Sequence, residues 1–180
     1  MDQRALGVLD FWWRAGPAKW FGGGPAFDAE VRERLAGLQA EAAAGRLEDW
    51  AETSPGALAR ILLLDQVPRH IFRGTAEAFA SDARALAAAE AAVAAGLDRA
   101  YPVEARSFFY LPFMHAEDLA AQLWSADLFR RLGQRENYFY ALVHLDAIQR
   151  FGRFPHRNAV LGRTTTPAEQ AYLDSGGFVG

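Results

Sequence analysis

With 180 residues, 51% of them apolar, and a net charge of −3, the chain has length and apolar content to bury a core as a single domain over 1–180. It holds no cysteine, which excludes disulfides, thiolate zinc sites and thiol nucleophiles, and its mildly acidic balance speaks against a nucleic-acid partner. Met1-Asp2-Gln3-Arg4 is not a basic-then-apolar leader and no apolar run is long enough to span a bilayer, so a cytoplasmic protein without membrane contact is expected.

Helical periodicity dominates, and no strand-like alternation of useful length occurs. An opening helix is expected over about 6–13. The loop from Gly16 to Pro25 contains Gly22-Gly23-Gly24, but no Gly-Lys-Ser/Thr follows and no strand precedes, so it reads as a linker rather than a phosphate loop. A second helix is expected over about 27–44. Ser54-Pro55 then reads as an N-cap with proline at the first helical position. The helix it opens carries Leu58, Ile61, Leu62, Leu63 and Leu64, apolar on nearly every side, and should lie centrally. Thr75 opens an alanine-rich helix reaching about Ala95 and closed by Gly96. Another starts near 114–116 and runs to about Arg131, and Gly133 separates it from a helix reaching Phe151. Thr166-Pro167-Ala168-Glu169 combines a capping box with proline at the first position, so a last short helix begins there. Connections this short predict antiparallel helical hairpins. Two strings, Pro68 to Gly74 and Pro155 to Arg163, echo each other ahead of threonine-capped segments and suggest paired halves.

Asp65 continues the apolar stripe of Leu58, Ile61 and Leu62. A buried, unpaired carboxylate costs roughly several kcal/mol or takes up a proton, so Asp65 needs partners. Arg69, one turn on, is the nearest, although Pro68 can break the helix between them. The pair is either a strut fixing the turn or part of a pocket. His115 stands beside Glu117, Asp118 and Gln122. On one helix His115, Asp118 and Gln122 share a face, whereas if His115 precedes the helix Glu117 can turn toward it. Acidic residues in a first turn also simply complement the helix dipole. His144 lies on the stripe Tyr140, His144, Ile148, Phe151, where a lone histidine is usually a satisfied core residue.

The segment Phe151-Gly152-Arg153-Phe154-Pro155-His156-Arg157-Asn158 differs in kind. It leaves a helix, is rich in hydrogen-bond donors, and is pinned by aromatics and proline, as ligand-contacting loops often are. Capping of helix-terminal carbonyls by its arginines is the alternative. Of 19 basic residues Lys19 is the one lysine; codon bias explains this, and so would guanidinium forks around a carboxylate or phosphate. Three histidines with Asp65 or Glu117 could ligate zinc or iron. There is no His-Glu-x-x-His or other paired-ligand spacing, however, so neither a metal nor another cofactor is expected. No Gly-x-Ser-x-Gly elbow occurs.

The strings that stand out are Phe11-Trp12-Trp13, Trp20-Phe21, Phe27-Asp28, Leu62 through Arg69 with Arg73-Gly74, and Phe79 with Asp82. Leu111 through Asp118 with Gln122, His144, Phe151 through Asn158, and Leu161-Gly162-Arg163 complete them. Together they resemble a bacterial family, domain of unknown function 924, whose fold is similar to tetratricopeptide-type helical arrays. The resemblance spans nearly the whole chain. It implies an all-α fold of antiparallel hairpins in a tetratricopeptide-like array, and no reaction. The family's motif residues match at Asp65, Arg69, His115, Glu117, His144, Arg153, His156, Arg157 and Asn158. Departures are His70 where the family usually has asparagine, Val67 for phenylalanine, and Trp13 for a second phenylalanine.

Two functional readings stand side by side. In the first the chain binds or transforms a small anion: Arg69, Arg153 and Arg157 grip it with Asp65 and Asn158, and His115, Glu117, His144 or His156 acts as general acid or base. In the second the array is an interaction module for a peptide or protein partner. The polar motif residues favour the first, which expects Asp65, Arg69, His115, Glu117, His144, Arg153 and His156 to converge.

Overall fold

The computed structural model describes residues 2–178, and among these the regular structure is entirely helical, with no strand. Among the described residues no helix is long and apolar enough to cross a membrane. The chain comprises two compact units, one up to Phe109 and the other from Tyr110. The division falls within a helix.

The first unit is built on α4 (Ser54–Ile71), against which α1 (Gln3–Ala15), α3 (Gly24–Ala43) and α5 (Asp82–Ala94) pack. A short α2 (Pro17–Trp20) lies between α1 and α3, and α6 (Val103–His115) begins here. α4 is central because its residues from Gly56 to Pro68 are all buried, with no polar face to turn to water. Its N-cap is Thr53, whose side chain accepts the Gly56 amide at 3.2 Å, one residue earlier than Ser54. Pro68 does not end the helix, which continues to Ile71. A proline there strips the Leu64 carbonyl of its helical donor, and the Ser81 hydroxyl supplies the replacement at 2.6 Å. Thr75 opens only a 3₁₀ turn (Ala76–Phe79) before α5 starts at Asp82. In the glycine-rich linker, Gly23 is required by close approach: a Cβ there would lie 2.6 Å from the Phe27 ring and 2.9 Å from the Lys19 carbonyl.

The second unit holds the end of α6, then α7 (Leu119–Leu132), α8 (Arg135–Phe151), a 3₁₀ turn (Pro155–Arg157) and α9 (Pro167–Asp174). Gly133, at φ 80°, caps α7 in the left-handed conformation, and a connection of two residues folds α8 back along it as an antiparallel hairpin. Where periodicity places the start of a helix, near 114–116, α6 instead ends. Phe108, Phe109, Tyr110, Leu111, Phe113 and Met114 are all buried, so α6 carries no amphipathic signature, and Pro112 hides it further. α7 starts after Asp118, which caps it by accepting the Ala121 amide at 2.8 Å. His115, Asp118 and Gln122 therefore do not share one helix. Gln122 reaches back to hold the open end of α6, donating to the carbonyls of Met114 at 2.6 Å and Ala116 at 2.8 Å. The Thr166–Glu169 capping box forms as expected. The echoed strings adopt different backbones, one inside the last turn of α4 and the other a 3₁₀ turn, so they are not a structural repeat.

Candidate functional site

Asp65 and Arg69 belong to one network within the first unit. Asp65 is fully buried, and the Gln66 side-chain amide donates to its carboxylate. Arg69 donates to the Asp65 carbonyl, lies 3.5 Å from its carboxylate and grips Asp82 with two bonds of 2.9 and 3.1 Å. Burial works against the Arg69 charge, but Asp65 and Asp82 outweigh it and raise its pKa. The network ties the end of α4 to the start of α5. A neighbouring network centres on Asp28, which takes a fork from Arg73 at 2.7 and 2.9 Å and a bond from His70 Nδ1 at 2.7 Å. His70 Nε2 lies 3.1 Å from the Trp20 carbonyl, so the histidine that departs from the family's asparagine bridges α2, α3 and α4.

In the second unit two ion pairs frame the segment from Arg153 to Asn158. Glu117 receives two bonds from Arg163, at 2.9 and 2.8 Å, and the Phe154 amide at 2.8 Å. Burial pushes its pKa up, but the Arg163 and Phe154 donors and the charges of Arg163 and Arg157 prevail and hold it below the usual value. Arg153 is forked onto Glu169 at 2.6 and 2.9 Å and bonds the Thr164 carbonyl at 2.9 Å. Glu169 is drawn down to about 2, chiefly by Arg153. Asn158 is fully buried and donates to Thr165 Oγ1 at 3.3 Å, while its Oδ1 has no hydrogen-bond partner.

Inside this frame the histidines gather. The rings of His115 and His144 lie 6.1 Å apart between centroids. The His144 ring packs edgewise on Phe154 at 5.4 Å, and His156 lies 5.7 Å from the same phenylalanine. The Arg157 guanidinium covers Phe154 at 4.5 Å. His144 Nδ1 lies 2.8 Å from the Tyr140 carbonyl, so that nitrogen carries the proton and Nε2 the lone pair. Burial lowers the His144 pKa to about 3, with help from the charges of His115, Arg157 and His156. His156 is lowered to about 4 by burial and by Arg157. Both imidazoles are therefore neutral near pH 7.

The structure thus gathers His144, His156 and Arg157 on Phe154 and His115 beside His144, with Glu117 and Arg153 in the frame; Asp65 and Arg69 belong to the first unit. Among the described residues no group of three or more His, Asp or Glu side chains is placed to hold a metal ion. Sequence reasoning missed the partners that decide these roles: Asp82 for Arg69, Arg163 for Glu117, Glu169 for Arg153. It also missed Phe178, whose ring stands 4.1 Å from His144 and 4.9 Å from His156. A capping box at Glu169 was the one available signal, and it named a backbone role.

No curated protein matches the chain. A solved structure, that of the protein of unknown function ATU0120 from Agrobacterium tumefaciens, is similar over 97% of this chain and 98% of its own, with 46% identity and a TM-score of 0.93. The model of a family described as bacterial protein of unknown function (DUF924) matches residues 8–177, and the chain belongs to that family.

Proposed function

We propose that the second unit binds a small anion, a carboxylate or phosphate, at His115, His144, His156 and Arg157, with an imidazole serving as general acid or base. The observation that carries this reading is the gathering of imidazoles about Phe154: His144 and His156 pack on its ring, Arg157 covers it, and His115 stands 6.1 Å from His144. Burial first, and the neighbouring positive charges after it, keep both imidazoles neutral, which leaves them able to accept a proton or a hydrogen bond from an acid. An anion entering the site raises both pKa values, so binding takes up protons, and His144 Nε2, weakly basic before it enters, becomes a stronger base once the anion is bound. Asn158 braces the loop, Glu117 and Arg153 position it, and Asp65 with Arg69 acts as a strut in the first unit.

Calorimetry with sulfate, which does not titrate near neutrality, tests this on the wild type and on Arg157→Ala. The expected result is binding that tightens as pH falls from about 6 toward about 4 and is lost in the variant. Absence of binding to the wild type, or an identical response in Arg157→Ala, overturns the proposal.

A second reading, a tetratricopeptide-like interaction module, has one observation in its favour. Leu119, Leu123, Trp124, Phe139, Tyr140 and Leu142 are all exposed on α7 and α8. Under it, Leu123→Lys with Phe139→Lys abolishes binding of a partner while leaving sulfate binding intact.

A further inference from the structure

Where α5 packs on α4 the first unit holds a cavity of about 230 Å³, walled by Ala57 and Arg60 on one side and by Ala88, Ala91, Ala92 and Ala95 on the other. Six of its eight lining residues are alanine, and those of α5 and its C-cap recur at helical spacing. The space exists because these side chains stop at Cβ. Close-packed interiors leave few voids larger than a water molecule. An apolar cavity of roughly 150 Å³ already holds benzene. Ala91 and Ala95 are exposed while Ala88 and Ala92 are buried, so the cavity runs from an open mouth to a closed floor. One polar residue stands in the wall. Arg60 is 8% exposed, its Nη2 donates to Glu48, and its buried Nε has no hydrogen-bond partner among the described residues. An N–H sealed from water without an acceptor is costly. Glu48, more than half exposed, already stands against the guanidinium, with Arg84 3.6 Å from the same carboxylate. A second carboxylate would seek a fork and meet Glu48, whereas a carbonyl oxygen needs only the single N–H that Nε offers.

We propose that this cavity binds a small uncharged molecule, mostly hydrocarbon, with one acceptor oxygen: a ketone, aldehyde or ester. Its carbonyl accepts the Arg60 Nε–H and its hydrocarbon part lies along the alanines. The wall selects by size and apolarity, and Arg60 adds the one directional contact. The site lies within the first unit and is independent of the anion reading.

The test titrates three probes of one shape into the full chain and follows amide NMR spectra. The probes are acetophenone, cumene, which has a methyl group in place of the carbonyl oxygen, and benzoate, which has a carboxylate. Acetophenone should move the amides of Ala57, Ala88 and Ala92 and bind about tenfold more tightly than cumene. Benzoate, facing Glu48, should bind more weakly than acetophenone. In Arg60→Met, which keeps a long side chain without a donor and leaves Glu48 in water, the advantage of acetophenone should vanish while cumene changes by less than about twofold. Ala91→Leu, at an exposed position of the wall, fills the mouth and should abolish binding of both. Equal affinity of acetophenone and cumene in the wild type, or an advantage that survives in Arg60→Met, overturns the proposal. Tighter binding of benzoate makes this a site for an acid and overturns it too. If no probe moves these amides, water alone serves the Arg60 Nε and the proposal falls, while sulfate binding in the second unit is untouched. Should Arg60→Met not fold, Ala91→Leu decides: lost binding supports the site and unchanged binding overturns it.

Discussion

Asp65 and His144 hold the same kind of position, a polar side chain on an otherwise apolar helix stripe, and the two units treat them in opposite ways. Around Asp65 the structure sets a guanidinium and an amide, and Arg69 is in turn shared with Asp82, so opposite charges are matched. Around His144 it sets rings that shut out water, and burial, with the charges of His115 and Arg157 behind it, keeps the imidazole neutral. A buried carboxylate is kept charged by matched partners, whereas a buried imidazole is kept neutral by the loss of water. The difference teaches that periodicity locates a buried polar group, while its tertiary neighbours decide its charge.

The largest expected effect comes from breaking the strut. Asp65→Ala leaves Arg69 short of a partner in a site sealed from water, and a loss of about 3 kcal/mol in urea unfolding is expected, with Asp65→Asn milder because it keeps the shape. A loss below about 1 kcal/mol would mean that Asp82 alone satisfies Arg69. Glu117→Ala should cost less, about 1–2 kcal/mol, because Glu117 and Arg163 are 20% and 31% exposed and solvent screens them. In that variant the Phe154 amide loses its acceptor, so sulfate affinity should fall with stability. Unchanged affinity would detach Glu117 from the site.

The third prediction concerns protons. His144 and His156 titrate near 3 and 4 when folded and near 6.5 when unfolded, so the unfolded chain binds more protons between those values. Stability from these groups is complete above about pH 6.5 and is lost as pH falls toward 4. His144→Asn should flatten that slope by up to roughly 1.4 kcal/mol per pH unit, as expected for one proton. Bound sulfate should flatten it too, because the anion raises the folded pKa. An identical slope in wild type and variant would show that His144 does not resist protonation. The smallest effect is expected at the surface pair Asp146–Arg150, exposed at 44% and 58%, where Asp146→Ala should change stability by less than about 0.5 kcal/mol and leave sulfate binding untouched.

Much of the helical architecture was readable because its signals are local. The buried run of α4, the Gly133 break and the Thr166–Glu169 capping box each depend on residues a few positions apart, and local backbone physics settles them. α6 was not readable, since a helix buried around most of its circumference has no period to detect and Pro112 argues against it. Pro68 misled for a related reason: the donor that compensates it, Ser81, comes from a separate segment. For the candidate site the residue types were legible and their pairing was not. Glu117 stands beside His115 in sequence but is claimed by Arg163, 46 positions away, and Arg153 by Glu169, 16 positions away. Charges pair through space, and which ones meet depends on how the helices pack. The sequence by itself determined where the chain is helical and which polar groups would be drawn inward. Only the tertiary structure decided which of them meet an opposite charge and which stay uncharged, because the inward pattern runs along one helix whereas the neighbours come from several.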